Sequence, residues 1–270
     1  MIRVFPRKTN MTPNDELAFI GDPGLFRPPE QPVKISVTFT WDIPEAERLY
    51  RSWSTYYSDV ELGGPAFGDT GGEFEPGVFL KEGVTITSRG CSKECPWCFV
   101  HKREGWIREL PIKPGWELQD NNILSCSKGH IERVFDMLRD QPKPIKFSGG
   151  LDAELIQSWH IDLLKTIRIE YAWFACDNIG ALRNIERASD LMGDFSREKK
   201  RCYVLIGFDG ETLKQAEKRL KSVYNLGFLP MAMLYRSEDN HEHPKSWKQL
   251  QRYWARPAIY KSIMSEVNNA

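Results

Sequence analysis

From about residue 78 the chain alternates between short β-branched, apolar runs and stretches whose apolar residues recur every three or four positions. These are the patterns of strands and of amphipathic helices. The runs at 83–89, 116–124, 144–150, 169–177, 202–210 and 228–236 are predicted strands. Helical spacing fills the gaps at 130–139, 153–166, 181–191 and 211–226. Strand and helix in repetition predict parallel pairing through right-handed crossovers, hence an α/β fold, either a barrel or a doubly wound sheet. In both, ligands meet the C-terminal ends of the strands. Those ends carry, in order, a cysteine-rich loop, Asp120-Asn121-Asn122, Ser148-Gly149-Gly150, Cys176-Asp177, Gly207-Phe208-Asp209 and Tyr235-Arg236.

The N-terminal part has a different texture. Residues 1–32 hold Pro6, Pro13, Pro23, Pro28, Pro29 and Pro32, a composition that predicts an irregular, extended lead-in. A β-branched and aromatic strand follows at 34–41, then a helix opened by Pro44, with Ala46, Leu49, Tyr50 and Trp53 at helical spacing, then a short strand at 59–62. Residues 63–77, rich in glycine, read as a junction. The expected organisation is therefore an α/β capping segment over 1–77, a main domain over 78–236 and a helical tail over 237–270. Within the tail, Trp247, Leu250 and Trp254 predict an amphipathic helix with a basic outer face.

Composition narrows the function classes. The 270 residues balance 37 Lys and Arg against 37 Asp and Glu, so no global field draws the chain to nucleic acid or an anionic membrane. No window approaches the ~18 apolar residues of a spanning helix, and no signal peptide opens the chain, so a cytoplasmic protein with no membrane partner is expected. Six cysteines are too unevenly placed for a disulfide framework. Cys126, Cys176 and Cys202 read as small buried hydrophobes, although Cys126 and Cys176, near strand ends, could also face a cavity. Cys91, Cys95 and Cys98, spaced Cys-x3-Cys-x2-Cys, are a soft-metal donor set that suits an iron-sulfur cluster, zinc or copper(I). His101 would complete a closed Cys3His zinc site, the alternative reading, as a structural and possible nucleic-acid-binding module.

The loop Cys91-Ser92-Lys93-Glu94-Cys95-Pro96-Trp97-Cys98, after the first strand of a β/α series, resembles the signature of the radical S-adenosylmethionine enzymes. The resemblance covers roughly residues 78–236 and implies a partial (β/α)6 barrel. It implies a 4Fe-4S cluster on Cys91, Cys95 and Cys98, with the fourth iron open to S-adenosylmethionine. Reductive cleavage of that cofactor to a 5'-deoxyadenosyl radical, which abstracts hydrogen from a substrate, would be the activity. An electron donor such as flavodoxin or ferredoxin would be the partner. By the same resemblance Ser148, Gly149 and Gly150 receive the methionine amino group, with Leu151 then Asp152 where the family more often has an acidic residue directly after the glycines. Asp177 matches ribose or methionine contacts, Ile206 and Gly207 the adenine-lining segment, and Trp97 the aromatic residue near the adenine. Residues 34–65 resemble the second half of the cobalamin-binding domain of one subgroup, but the Asp-x-His-x-x-Gly loop is absent, so a cap without cobalamin is expected. Position alone nominates Asp120, Asn121, Asn122, Cys176, Tyr235 and Arg236 for the substrate. Lys93, His101, Lys102, Arg103 and Arg108 make the loop's surroundings basic, which suits either simple charge compensation or an anionic substrate such as a nucleotide or nucleic acid.

Overall fold

Ile2 and Val4 have no solvent exposure, and with them the N-terminus begins in a sheet. The computed structural model describes residues 1–236 and 242–268. Its contacts divide the chain into one unit of Met1–Glu94 with Phe99–Asn121 and another of Cys95–Cys98 with the chain from Asn122 onward.

In the first unit β1 (Ile2–Phe5), β2 (Ala18–Ile20), β3 (Val33–Ser36), α1 (Ile43–Trp53) and β4 (Val60–Gly63) build a parallel sheet in the order β2-β1-β3-β4. The expected irregular lead-in is therefore corrected, because two of its segments are strands and β1 lies between β2 and β3. Four residues are too short a run to stand out beside six prolines, and all six prolines fall in the connections. Those connections are pinned: Trp53 Nε1 donates to Gly21 O at 3.0 Å, and the Tyr57 hydroxyl to Pro28 O at 2.8 Å. Buried Arg3 donates to Gly77 O and Val78 O and pairs with Asp15. On α1, Ala46, Leu49 and Trp53 close one core with Ile2, Val4, Val33, Ile35 and Val37. The strand expected at 34–41 stops at Ser36, and Thr40–Asp42 form a 3-10 turn into α1.

The remainder of this unit is short elements: β5 (Val84–Thr85), β6 (Ser88–Arg89), α2 (Val100–Arg103), β7 (Arg108–Glu109) and β8 (Glu117–Leu118). β5 pairs with β8 in parallel and β6 with β7 antiparallel. The single strand expected at 83–89 is thus broken in two. Asp120 accounts for the break, taking the Thr87 amide at 2.7 Å and the Thr87 and Ser88 hydroxyls at 2.6 Å each.

The second unit is the regular β/α series. α3 (Lys128–Arg139), β9 (Ile145–Phe147), α4 (Ser158–Lys165), β10 (Ile169–Ala175), α5 (Leu182–Leu191), β11 (Lys200–Ile206), α6 (Leu213–Asn225) and β12 (Leu229–Leu234) follow one another, and β9 to β12 pair in parallel in sequence order. Along β11 burial alternates, with Lys200, Cys202, Val204 and Ile206 sealed and Arg201, Tyr203 and Leu205 half-buried on the other face. The sealed face packs beneath helices, as in the tilted pair of Phe135 on α3 with Phe147, and against the turn before β12, as in the edge-on pair of Phe174 with Phe228. Leu220 and Val223 of α6 are fully buried, each contributing about 2 kcal/mol. A capping box between Thr212 and Gln215 starts α6. In the tail, α7 (Lys245–Trp254) and α8 (Pro257–Asn268) follow, and the buried Trp254 stacks on Tyr260. The first five residues expected in the tail, 237–241, and the last two, 269–270, lie outside the described residues. Among the described residues no helix is long and apolar enough to cross a membrane.

Candidate functional site

At the C-terminal ends of β10, β11 and β12 the second unit gathers an aromatic and acidic cluster. Trp97, from the Cys95–Cys98 turn, donates its indole N–H to Asp177 at 3.2 Å. Its ring meets Phe208 edge-on at 5.4 Å, and Phe208 meets Tyr235 at 4.8 Å. Burial pushes the Asp177 carboxyl above the usual range, and its hydrogen bonds, the Trp97 N–H among them, only partly offset that.

The backbone around this cluster is held from behind. Glu211 accepts from the Gly207 amide at 3.0 Å and pairs with the buried Arg219, whose guanidinium also donates to the Cys176 and Leu205 carbonyls. One side chain thereby fixes the ends of both β10 and β11. Gly207, at a φ of 75°, is crowded by Leu234 and His243 at 3.1 Å from where a Cβ would stand. At the end of β9, Ser148 Oγ lies 3.3 Å from the Tyr171 hydroxyl, and Gly150 takes a φ of 111°, a backbone that L side chains rarely adopt. Asp152 accepts from Asn122 at 3.1 Å and caps the Glu154 amide.

Of the residues singled out in the sequence, Trp97, Asp177, Gly207 and Tyr235 therefore meet in one cluster. Others are placed differently. Ile206 and Cys176 have no exposure and belong to the face beneath the helices, so neither side chain lines the open ends of the strands. The Cys176 thiol is pushed up to about 12 by burial, which leaves it protonated and unreactive at neutral pH. Asp120, 1% exposed, is bound up in the Thr87–Ser88 bridge rather than offered to a substrate, and burial holds its carboxyl above the usual range. Asn121 is tied to Glu104 in the first unit, while Arg236 is exposed. Phe208, Glu211 and Arg219 were not singled out as site residues. Phe208 was visible as a strand-end residue, but nothing in the local sequence of α6 shows that Arg219 turns inward.

Cys91, Cys95 and Cys98 are half-buried, and no disulfide joins them. The Cys98 amide donates to Cys95 O at 3.0 Å, closing a tight turn. Among the described residues no three His, Cys, Asp or Glu side chains are drawn together as a metal site, the Cys3His set with His101 included. The donor chemistry of three thiols within eight residues nevertheless fits a soft-metal group. Nearby, Glu104 is 3% exposed and accepts from Arg103 at 2.6 Å, with Arg89 at 4.0 Å. Burial pulls the Arg89 guanidinium below its usual range despite that carboxylate. Arg108 is engaged with the carbonyls of Thr70 and Gly71, and Lys102 lies over Phe99. Compared with known families and with curated proteins, the chain matches no family model and no curated sequence.

Proposed function

We propose that the chain is a radical S-adenosylmethionine enzyme, with a 4Fe-4S cluster on Cys91, Cys95 and Cys98 and S-adenosylmethionine at the ends of β9 to β12 in a partial (β/α)6 barrel. One observation carries the reading. Trp97, inside the cysteine motif, contacts Asp177 and Phe208 at the C-terminal ends of parallel strands, where α/β folds bind ligands. A structural zinc knuckle has no need of that contact.

When bound, the cluster supplies the electron that cleaves the sulfonium cofactor. The chain's own residues do the rest. Ser148, Gly149 and Gly150 offer a hydroxyl and a backbone without side chains to the amino acid moiety. Asp177, oriented by Trp97, accepts a ribose hydroxyl. Phe208 and Tyr235 form an apolar wall that keeps water from the reacting centre, and the Glu211–Arg219 pair keeps the Gly207 turn in place.

Anaerobic purification followed by reconstitution with iron and sulfide tests this. The expected protein is brown, bleaches with dithionite and releases 5'-deoxyadenosine from S-adenosylmethionine, measured by mass spectrometry. Cys98→Ala loses the iron. Trp97→Ala keeps the iron and lowers cofactor affinity by about tenfold, the worth of one hydrogen bond and one aromatic contact. Colourless protein with one zinc per chain, or iron-loaded protein that never yields 5'-deoxyadenosine, overturns the proposal.

A further inference from the structure

The first unit contains a cavity of about 760 Å³ at the C-terminal ends of its parallel sheet. Its wall includes Phe5 at the end of β1 and Arg7 after it, Ser36 at the end of β3 and Phe39 after it, and Gly63 at the end of β4 with Gly64 after it. The chain leaves β1 for β2 on one side and then crosses to β3 on the other. The crevice between β1 and β3 is therefore the point where the winding reverses, the place at which open parallel sheets take their ligands. Gly64, at a φ of 101°, lets the loop after β4 close over β3, since a Cβ there would stand 2.8 Å from Val37 O.

Charge is sorted by depth. The carboxylates of Glu61, Glu73 and Glu75 lie at the solvated rim, 57–61% exposed, and are paired with Lys34 or Lys113. Asp42, at the start of α1, is neutralised by Arg7, so an anion is not drawn to that helix terminus. Asp69, also at the exposed rim, caps the Gly71 amide. The inner end holds Arg89 and Arg103 with one carboxylate between them, Glu104. Two guanidiniums stand around that buried carboxylate, and Arg89 is also within electrostatic reach of the buried Asp120 and of Asp69. The Nε–H groups of both arginines are buried and have no acceptor. Buried donors without acceptors are costly, and a guanidinium is the group that matches phosphate best.

Leu62, Phe79 and Leu80, each half-buried, give the cavity an apolar wall, and Gln119 adds a carboxamide whose nitrogen reaches only 3.9 Å from Met11 Sδ. The volume is that of an organic-ligand pocket and well beyond what a lone anion needs. We infer that the cavity binds a nucleoside monophosphate, with the phosphate on Arg89 and Arg103, the base and sugar against the apolar wall, and the Gln119 carboxamide on a base edge. This site is separate from the proposed cofactor site in the second unit, and its existence does not depend on that proposal.

Isothermal titration of the 270-residue protein with each of the four ribonucleoside 5'-monophosphates tests the inference. At least one binds with a Kd below about 1 mM. The matching nucleoside and inorganic phosphate each bind at least about tenfold more weakly, because each lacks half of the contacts. Saturating S-adenosylhomocysteine leaves the titration unchanged, which separates this site from the cofactor site. Arg103→Gln, which removes the charge, and Leu62→Trp, which fills the cavity, each weaken binding by about tenfold or more, and neither changes the iron content. The inference is overturned if no nucleotide binds, if inorganic phosphate alone binds as tightly, if S-adenosylhomocysteine abolishes binding, or if both variants bind like the parent.

Discussion

His160 sits in the first turn of α4 with Nδ1 accepting the Gln157 amide at 2.9 Å, an arrangement open only to a neutral imidazole. Burial pushes its pKa down to about 4. The unfolded chain takes up a proton near the ordinary value of about 6.5, while the folded one refuses it until about 4. Between those values the unfolded state binds more protons, so stability is lost as pH falls through the window and the loss levels off below it. The full shift corresponds to about 3 kcal/mol, and solvent screening around the ring reduces the expected loss to roughly 2 kcal/mol. His160→Gln keeps an acceptor for the cap and should remove that part of the pH dependence, read from urea midpoints at several pH values between 7.5 and 4. Equal slopes in both proteins would refute a neutral buried imidazole. Strand geometry likewise decides which way Cys176 and Asp177 point. Successive residues of a strand point to opposite faces, so with Ala172 and Phe174 sealed, Cys176 must be sealed too and Asp177 must face the other way. Strand-end position was legible in the sequence, and so was parity; it agrees with Cys176 as a small buried hydrophobe rather than a cavity residue, and it seals Ile206, which the resemblance had nominated.

At the scale of elements, the pair Arg219 and Glu211 joins three of them: α6, which carries Arg219, and the ends of β10 and β11. The Arg219 side chain is 3% exposed and that of Glu211 16%, so neither charge can fall back on water if its partner is removed. Arg219→Met should destabilise the protein by about 3 kcal/mol or more, because it strands a carboxylate and two carbonyls. Adding Glu211→Gln to that variant should recover part of the loss, since the buried charge is then gone. Chemical denaturation of the two single variants and the double variant reads the coupling directly. An additive cycle would show that the pair is not a unit. This latch was hidden from the sequence for a physical reason: on α6 Arg219 occupies the apolar stripe between Ala216 and Leu220, and nothing local distinguishes an arginine that turns inward from one whose head reaches solvent. The long elements were legible because period and length agree there, as in β11 and α6. β1 and β2 were not, because three or four residues between prolines carry no period.

For the whole molecule, the β/α alternation from α3 onward was readable because its strands are apolar enough to be covered by helices, whereas between residues 78 and 121 the expected strands shrink to two-residue segments. The first unit was read as less ordered than it is, since its sheet is assembled from short segments whose pairing partners lie up to 31 residues apart, as with Ile2 and Val33. The cluster around Trp97 was half legible: Trp97 and Asp177 by resemblance, Phe208 and Tyr235 as strand-end residues, and their mutual contacts only through folding. Overall charge leads to a last expectation. With 37 basic and 37 acidic side chains the net charge is zero and the isoelectric point about 7.0. Without net repulsion, association is limited only by what the surface exposes, and here Leu25 and Phe26 are 84% and 91% exposed, with Trp106 at 64%. Solubility should pass through a minimum near pH 7 and rise on moving about one unit either way as like charges accumulate. Replacing Leu25 and Phe26 with Glu and Lys leaves the net charge untouched, so any gain at pH 7 would come from the apolar patch alone. Light scattering across pH on both proteins separates the two causes: a minimum that stays at pH 7 but becomes shallower in the variant is the expected outcome, and an unchanged depth would exclude the Leu25–Phe26 loop as the adhesive surface.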